Sequence, residues 1–353
     1  LATDLATRNE GRFLLFSLRA RTHPTHITIY YDATAYHGMD EIDLHLCQLL
    51  FVNSRRPQRE LADELGIGVA GVHRRIQSLV EQGVINSFSA NLSTSYLKAL
   101  HAQVDGVCDC KSVAENLDAL KKSGLVFAVL TSAANLTSVM LLLRSINDLG
   151  PTVELVRGAL KMPQPRVTIS MKIFVGTEPL EREFTGNREL SRLDYRIINS
   201  LHFNSRKPIV DLAEEIDITP KTARNRLEAM EREGAIEYGF NWNPARTTGA
   251  SFIVRIDLKP GMDRSAFISQ LNKQYGARFI YTFVFSNIID YVGGYCWAPT
   301  VGQHNELADA LRSDEAVAEV RSSIVHDLWG FETWRDRLLR ERASGPRNPA
   351  PDG

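Results

Sequence analysis

The chain of 353 residues contains one segment twice. The stretch that begins at Ile42-Asp43-Leu44 reappears without a gap from Leu193-Asp194-Tyr195, and Gly83 then corresponds to Gly234. A repeat this long exceeds a solenoid unit and indicates that a whole module has been duplicated. The structure and role of one copy therefore account for much of the other.

The composition is that of an ordinary globular protein, with 44% hydrophobic and 24% charged residues. No apolar run reaches the roughly 20 residues that a helix needs to cross a bilayer, so we expect no membrane contact. The four cysteines include no CxxC pair, and such a pattern favours the cytoplasm over a disulfide-built secreted scaffold. Because the formal net charge is −1, any contact with DNA has to come from cations on particular helices.

The two ends of the chain lie outside the repeat. Residues 1–38 have no counterpart before the second copy and no signal-peptide pattern, which predicts a poorly ordered extension with a natural start at Met39. Within that extension, residues 27–31 have the composition of a short edge strand. We expect residues 331–353 to form a C-terminal helix followed by a disordered tail rich in Pro and Gly.

Each copy has the periodicity of three short helices and a strand. In the first copy, Ile42, Leu46 and Leu49 share one helix face, Pro57 opens a second helix, and Val72 begins the inner face of a third. An alternating strand follows over residues 84–88. This order predicts winged helix-turn-helix domains over residues 39–90 and 191–246, in which the third helix enters the major groove of DNA.

The outward positions of the third helix are the candidate DNA-binding residues. Arginine and asparagine make bidentate contacts with guanine and adenine edges, and the second copy has both side chains. Its leading turn also carries a proper N-cap, Thr219, whereas Gly68 to Gly71 in the first copy offer almost no polar group. The candidates are Lys221, Thr222, Arg224, Asn225 and Arg226 in the second copy, and His73, Arg74 and Gln77 in the first.

Two other interpretations of the helical units remain open. Three-helix domains with a charged outer face also serve as dimerisation or protein-docking domains. Arg75 and its equivalent Arg226 border the inner face of the third helix, so that either arginine is as well suited to a structural ion pair as to a phosphate contact.

The repeated residues resemble those of the Lrp/AsnC family of bacterial and archaeal transcription regulators. The resemblance implies double-stranded DNA as partner and an α/β effector domain after each helical head. It rests on Ile42-Asp43 and Leu193-Asp194, on the Leu-Ala-x-Glu segments that start at Leu61 and Leu212, on Arg75-Ile76 and Arg226-Leu227, and on the closing glycines Gly83 and Gly234.

The segments after each head have the element order of such an effector domain. Alternating strands and amphipathic helices over residues 97–180 and 247–330 predict βαββαβ, a ferredoxin-like fold, with a linker at 181–190. The fold class is therefore α+β, and the resemblance covers residues 40 to about 330. Alternating aromatic residues in the second domain predict core or interface, with a pocket lining as the second interpretation: Tyr281, Phe283, Tyr291, Tyr295 and Trp297.

In the family, an amino acid binds near a Thr-Gly-x-x-Asp-Tyr turn between the second and third strands of this domain. The matching positions give Ser286, Asn287, Asp290 and Tyr291 as candidate effector residues, while the first half has Thr131 to Leu136 there. The glycine that lets a backbone approach a ligand is replaced in both halves, which argues against amino-acid sensing.

Family members pair through their sheets, and one chain here carries two sheets. We expect either that the halves pair internally as a pseudo-dimer or that whole chains form a homodimer. Internal pairing of two different halves would free the operator from palindromic symmetry.

No catalytic, cofactor or metal motif stands in a suitable context. Cys108-x-Cys110 lacks the further ligands that a structural zinc needs. Siroheme decarboxylases are similar to Lrp/AsnC proteins in fold and are the enzyme alternative, although the matching strands here lack histidine and have Arg144 and Arg278 only at their margins. An architectural DNA-binding protein is the alternative within DNA binding.

Overall fold

The computed structural model describes residues 38–169, 171–187, 189–243 and 249–345. The predictions for residues 1–37 and for the tail after residue 345 lie outside this part of the chain.

The first half consists of a helical head followed by an effector domain. The head contains α1 (Glu41–Val52), α2 (Gln58–Leu65), α3 (Val69–Glu81) and β1 (Ile85–Leu92). The effector domain contains β2 (Leu100–Val107), α4 (Leu117–Ser123), β3 (Val126–Ser132), β4 (Leu136–Leu143), α5 (Leu149–Leu160), β5 (Arg166–Ile169), β6 (Lys172–Val175) and β7 (Glu178–Pro179).

The second half repeats this order and adds a terminal helix. Its head contains α6 (Arg192–Leu201), α7 (Ile209–Glu215), α8 (Pro220–Glu233) and β8 (Ile236–Trp242). Its effector domain contains β9 (Ala250–Leu258), α9 (Arg264–Tyr275), β10 (Phe279–Phe285), β11 (Ile288–Ala298), α10 (Val301–Arg312) and β12 (Val317–Gly330), and α11 (Trp334–Ser344) follows.

Local sequence signals explain the helices of the heads. Asp40 and Ser191 each begin a first helix with a capping box, in which the backbone and side chain of the cap bond reciprocally with Asp43 or Asp194. Gly66 ends α2 in the left-handed region at φ 64°, which a glycine adopts without steric cost. These local signals set the start of each head and the end of α2.

The effector domains have the predicted ferredoxin-like topology. Their strand orders are β5-β2-β4-β3 and β12-β9-β11-β10, both antiparallel, with the last strand beside the first. Each sheet packs one face on its own two helices; Val104 and Leu120 meet in the first half, and Val254 and Leu271 in the second. The α+β fold class is confirmed.

The last strand of each half leaves its own sheet and joins the other. In β12, residues 317–324 pair with β9 and residues 325–330 pair with β3. In the first half β5 pairs with β2, whereas β6 pairs with β10. The sequence predicted one last strand in each βαββαβ domain. In the first half this strand divides into β5 and β6, because its two ends belong to different parts of the sheet. Both halves thus contribute to one ten-stranded sheet.

The two heads rest on the sheets in different ways. In the first head, Gln48 of α1 donates directly from Nε2 to the backbone oxygen of Phe279, at 2.8 Å. In the second, α11 lies between the head and the sheet. Leu339 of α11 is fully buried in the core of the head. Trp334 of α11 donates from Nε1 to the backbone oxygen of Leu142 in the sheet, at 2.9 Å. The halves therefore share a fold but differ in how the head is attached.

Among the described residues, no helix is both long enough and apolar enough to cross a membrane.

Candidate nucleic-acid interface

Helix α8 is capped at both ends. The Thr219 hydroxyl accepts a hydrogen bond from the Thr222 backbone at 3.1 Å, and Pro220 occupies the first helical position. Gly234 ends the helix at φ 72°. Ala223, Leu227 and Met230 are buried against the rest of the head, so the rotation of α8 about its own axis is fixed.

The opposite face of α8 is open to solvent. Lys221, Arg224 and Asn225 are exposed, and Thr222 is partly exposed. Arg224 and Asn225 are adjacent on this face, one turn after the capped helix start. The predicted reading residues are thus brought together on one accessible surface.

Arg226 is engaged within the head. Its guanidinium lies 3.3 Å from the buried carboxylate of Asp194 and donates to the Ser191 hydroxyl at 3.2 Å. In the first head, the equivalent Arg75 lies 2.8 Å from the Asp43 carboxylate. Burial raises the pKa of the Asp43 carboxyl, and the neighbouring Arg75 opposes that rise. Both arginines tie the third helix to the start of the first helix, which favours the structural interpretation of Arg226.

Helix α3 presents a weaker face. Gly68 occupies the N-cap position without a side-chain hydrogen bond, and Val69 follows it with 45% of its surface exposed. His73, Arg74 and Gln77 are all exposed, and a side-chain nitrogen of Gln58 lies 3.2 Å from His73 Nδ1. The polar residues of α3 therefore begin a full turn farther along the helix than those of α8.

The two heads are locked together at equivalent positions. The hydroxyls of Ser54 and Ser205 share a hydrogen bond of 2.7 Å. Arg206 donates to the oxygen of Ser54 at 2.6 Å, and Arg55 reciprocates toward the oxygen of Lys207 at 2.9 Å. Because Ser54 and Ser205 are equivalent positions of the two copies and the arginine contacts are reciprocal, the heads are related here by a local two-fold axis. The repeated Asn-Ser-Arg segment, at residues 53–55 and 204–206, is the sequence signal that corresponds to this contact.

The strand after each head strengthens this connection. Strands β1 and β8 form an antiparallel ribbon in which Phe88 lies opposite Phe240. The predicted wing strand of the first copy therefore pairs with the strand of the other head. Together with the serine contact, the ribbon fixes the relative position of α3 and α8.

Two of the candidate effector residues, Ser286 and Asn287, contact the other half of the chain. Ser286 donates from its backbone and its hydroxyl to the oxygen of Ile169 at 3.1 Å, and Asn287 accepts from the Ile169 backbone at 3.1 Å. Tyr291 is buried, which raises the pKa of its hydroxyl, and Asp290 is partly exposed. The turn thus holds the end of β5, a strand from the other half.

The cysteine pair lies beside a small cleft of about 230 Å³ at the equivalent turn of the first half. Burial raises the pKa of the Cys108 thiol to about 11, so the thiol stays protonated at neutral pH. All four cysteines are free thiols. The described residues contain no cluster of three or more His, Cys, Asp or Glu side chains arranged to hold a metal.

Comparison with known proteins agrees with the geometry of the heads. The family profile for winged helix-turn-helix DNA-binding domains matches residues 39–86 and 190–237. The HTH-type transcriptional regulator Ptr1 of Methanocaldococcus jannaschii is 30% identical over 114 residues, which are 32% of this chain and 77% of Ptr1. The chain belongs to the Lrp/AsnC family.

Another relative of this Lrp/AsnC protein is the HTH-type transcriptional regulator LysM of Sulfurisphaera tokodaii. The two are 41% identical over 51 residues, which are 14% of this chain and only 36% of LysM. The two DNA-binding heads and the regulator relatives identify the chain as a DNA-binding transcription regulator.

Among solved structures, the siroheme decarboxylase NirDL is similar to this Lrp/AsnC protein over 86% of this chain and 99% of its own. The TM-score is 0.54 and the sequence identity is 13%. At that identity the similarity establishes a shared fold and nothing further.

Proposed function

We propose that this regulator recognises a specific DNA sequence mainly through the outward face of α8. The observation that carries the proposal is the exposure of Arg224 and Asn225 side by side on a helix that is capped, rotationally fixed and uncovered by the rest of the described chain. Arg224 is suited to a guanine edge and Asn225 to an adenine edge in the major groove. Lys221, nearer the helix start, is suited to a phosphate.

The first head has the complementary task in this proposal. His73, Arg74 and Gln77 contact the DNA backbone and add affinity with little sequence preference. Because the serine contact and the β1–β8 ribbon hold the heads together, contact by one head places the other along the duplex. Operator recognition then depends on the second head, and operator positioning on both.

We also propose that the chain acts as an internal pseudo-dimer. The shared ten-stranded sheet supports this. So does an ion pair between the halves, in which the buried Arg255 lies 3.7 Å from the partly buried Asp105. If the first halves of two chains paired with each other, Asp105 would lie near the Asp105 of the other chain. If two second halves paired, two Arg255 side chains would come together. Either arrangement buries like charges at a large desolvation cost. An operator read by two unlike halves has no need of palindromic symmetry.

Light scattering and charge reversal test the internal pairing. We expect a monomer in solution, a marked loss of stability in Asp105→Arg and in Arg255→Asp, and partial recovery in the double variant. An obligate dimer of the unaltered chain would contradict the pseudo-dimer proposal.

Salt dependence tests the regulatory proposal against an architectural role. A regulator keeps a preference for its selected duplex over a scrambled one as salt rises, whereas an architectural protein loses affinity for both alike. Equal affinity for the two duplexes at all salt concentrations would contradict sequence-specific regulation.

The enzyme alternative is favoured only by the fold shared with NirDL. Strands β3, β4, β10 and β11 contain no histidine. A cleft of about 850 Å³ between α1 and the end of α9 is lined by the basic side chains Lys273 and Arg278, and Arg278 lies 3.7 Å from Glu41. We infer that the protein is not a siroheme decarboxylase and acts in the cytoplasm. A shift in the absorption spectrum of siroheme on mixing would contradict the first inference.

A further inference from the structure

We propose that a cavity between the strands of the two effector domains and the first head binds a small, neutral, largely apolar molecule that alters DNA binding. The cavity has a volume of about 160 Å³. Side chains from both halves line it, among them Phe51, Leu130, Met140, Ile253, Tyr281 and Phe283. The regulatory part of the proposal rests on the proposed function as a DNA-binding regulator.

The position of the cavity connects three parts of the molecule. Leu130 and Met140 come from the sheet of the first effector domain, Ile253 and Phe283 from that of the second, and Phe51 from the end of α1. A molecule bound there contacts the seam between the halves and the first head at once. None of the four candidate effector residues, Ser286, Asn287, Asp290 and Tyr291, lines this cavity.

The chemistry of the lining selects against charged ligands. The polar lining residue Gln103 donates to Asp105 at 2.8 Å, and Ser138 donates to the same carboxylate. Asp105 in turn faces the buried Arg255. These charges are already paired, so a zwitterionic amino acid would bury two charges without partners, at a large desolvation cost.

One polar group on the ligand is nevertheless accommodated. Tyr281 lines the cavity and makes ring contacts, at 5.3 Å with Tyr295 and 6.1 Å with Phe51, but no hydrogen bond to its hydroxyl is found among the described residues. Burial raises the pKa of Tyr281, so this hydroxyl is neutral at pH 7. An apolar cavity of about 150 Å³ is known to bind benzene, and a ligand of that size with one donor or acceptor fits here.

The contacts of Phe51 give the cavity a route to the DNA-binding heads. The Phe51 ring lies 4.5 Å from that of Phe240 and 5.8 Å from that of Trp242, both in β8. Strand β8 pairs with β1 in the ribbon that joins the heads. A ligand that displaces Phe51 therefore shifts the ribbon and, with it, the relative position of α3 and α8.

Calorimetry with indole, benzene and L-leucine on the full chain tests the site. We expect indole and benzene to bind and L-leucine to give no signal. Ile253→Phe fills the cavity, so we expect it to abolish binding of both aromatic probes and to raise the Tm. The same substitution at the exposed Ile289 is the control and leaves binding unchanged.

A second variant guards against misfolding of the first. Tyr281→Phe keeps the shape of the lining and removes only the hydroxyl. We expect it to weaken indole binding about tenfold, the equivalent of one hydrogen bond, while benzene binding stays the same. Failure of both probes to bind the unaltered chain, or binding that survives Ile253→Phe in a folded protein, would overturn the proposed site.

The effect on DNA is measured separately. Saturating indole is expected to change the affinity of the unaltered chain for its selected duplex at least threefold and to have no effect on Ile253→Phe. Unchanged DNA affinity with bound indole would overturn the regulatory role but leave the cavity site intact. Indole binding by a protein without DNA selectivity would instead contradict the proposed function.

Discussion

The two heads have the same fold, yet only the second has the features expected of a base-reading domain. Helix α8 begins with a threonine cap and exposes Arg224 and Asn225, whereas α3 begins with Gly68 and exposes Val69. The second head is also supported by α11, while the first contacts the opposite effector domain directly. Duplication within one chain lets two equivalent heads diverge, because each needs to fit only its own half of the operator.

The largest expected effect concerns the support of the second head. Leu339→Ala removes a fully buried side chain between α11 and the head, so we expect the free energy of unfolding to fall by about 2–5 kcal/mol. Denaturant unfolding measures this loss. Val301→Ala, at a half-exposed position, is the control and should stay within about 0.5 kcal/mol of the unaltered chain. Equal effects would mean that α11 does not support the head.

The next effect distinguishes the heads by sequence preference. Each bidentate base contact contributes about 1–3 kcal/mol, so Arg224→Ala with Asn225→Ala should lower the affinity for the selected duplex at least thirtyfold and leave non-specific affinity nearly unchanged. Competition binding against a scrambled duplex measures both.

The matched variant in the first head is His73→Ala with Arg74→Ala. We expect it to weaken binding to all sequences alike, by less than about tenfold, because backbone contacts carry no sequence information. Arg232→Ala, at the exposed end of α8, serves as the charge control. Site selectivity that survives the loss of Arg224 and Asn225 would refute the assignment of the reading face.

A smaller effect should depend on pH. Asp336 takes part in the capping box of α11 and accepts a hydrogen bond from the Asn91 side chain at 2.7 Å. Burial alone would raise the pKa of the Asp336 carboxyl. The charge of Arg335 and the hydrogen bonds from Thr333 and Asn91 outweigh burial, so the pKa is lowered. Its contribution to stability is therefore complete above the ordinary aspartate pKa of about 3.9 and is lost as the pH falls through the lower folded value.

Comparison of the unaltered chain with Asp336→Asn at several pH values measures that contribution. We expect a difference of about 1–2 kcal/mol at neutral pH that shrinks as the pH falls below about 4. A difference that grows with acidity would contradict the lowered pKa.

The smallest effect compares the two helix caps. Thr219→Ala should lower the free energy of unfolding by about 1 kcal/mol, whereas Gly68→Ser should raise it by a few tenths, since serine caps a helix only slightly better than glycine. Thermal unfolding of both variants checks the signs. A stabilising Thr219→Ala would show that the cap seen at α8 is not formed in solution.

The sequence was sufficient for everything that depends on local pattern. The spacing of Leu46, Leu61 and Val72, the caps and the turn glycines predicted the heads, and alternation predicted the ferredoxin-like domains. It could not predict the division of the strand at residues 166–175, because alternation is the same whichever sheet supplies the partner. The contact of Ser54 with Ser205 was equally hidden, since polar residues in a turn indicate solvent as readily as a symmetric interface.

The same distinction between local pattern and tertiary contact applies to the candidate site residues. Exposure of Arg224 and Asn225 follows from helix periodicity, so the sequence placed them on the outward face. The engagement of Arg226 with Asp194, and that of Ser286 and Asn287 with the end of β5, depends on tertiary contacts that periodicity does not contain.

Selection of binding sites from random duplex DNA by the full chain tests the central claim most directly. If α8 contacts base edges and α3 contacts the DNA backbone, the selected sequences converge on a non-palindromic motif with one strongly specified half. That half disappears from the sequences selected by the variant with Arg224→Ala and Asn225→Ala. A pool without enrichment, or the same motif selected by both proteins, would contradict it.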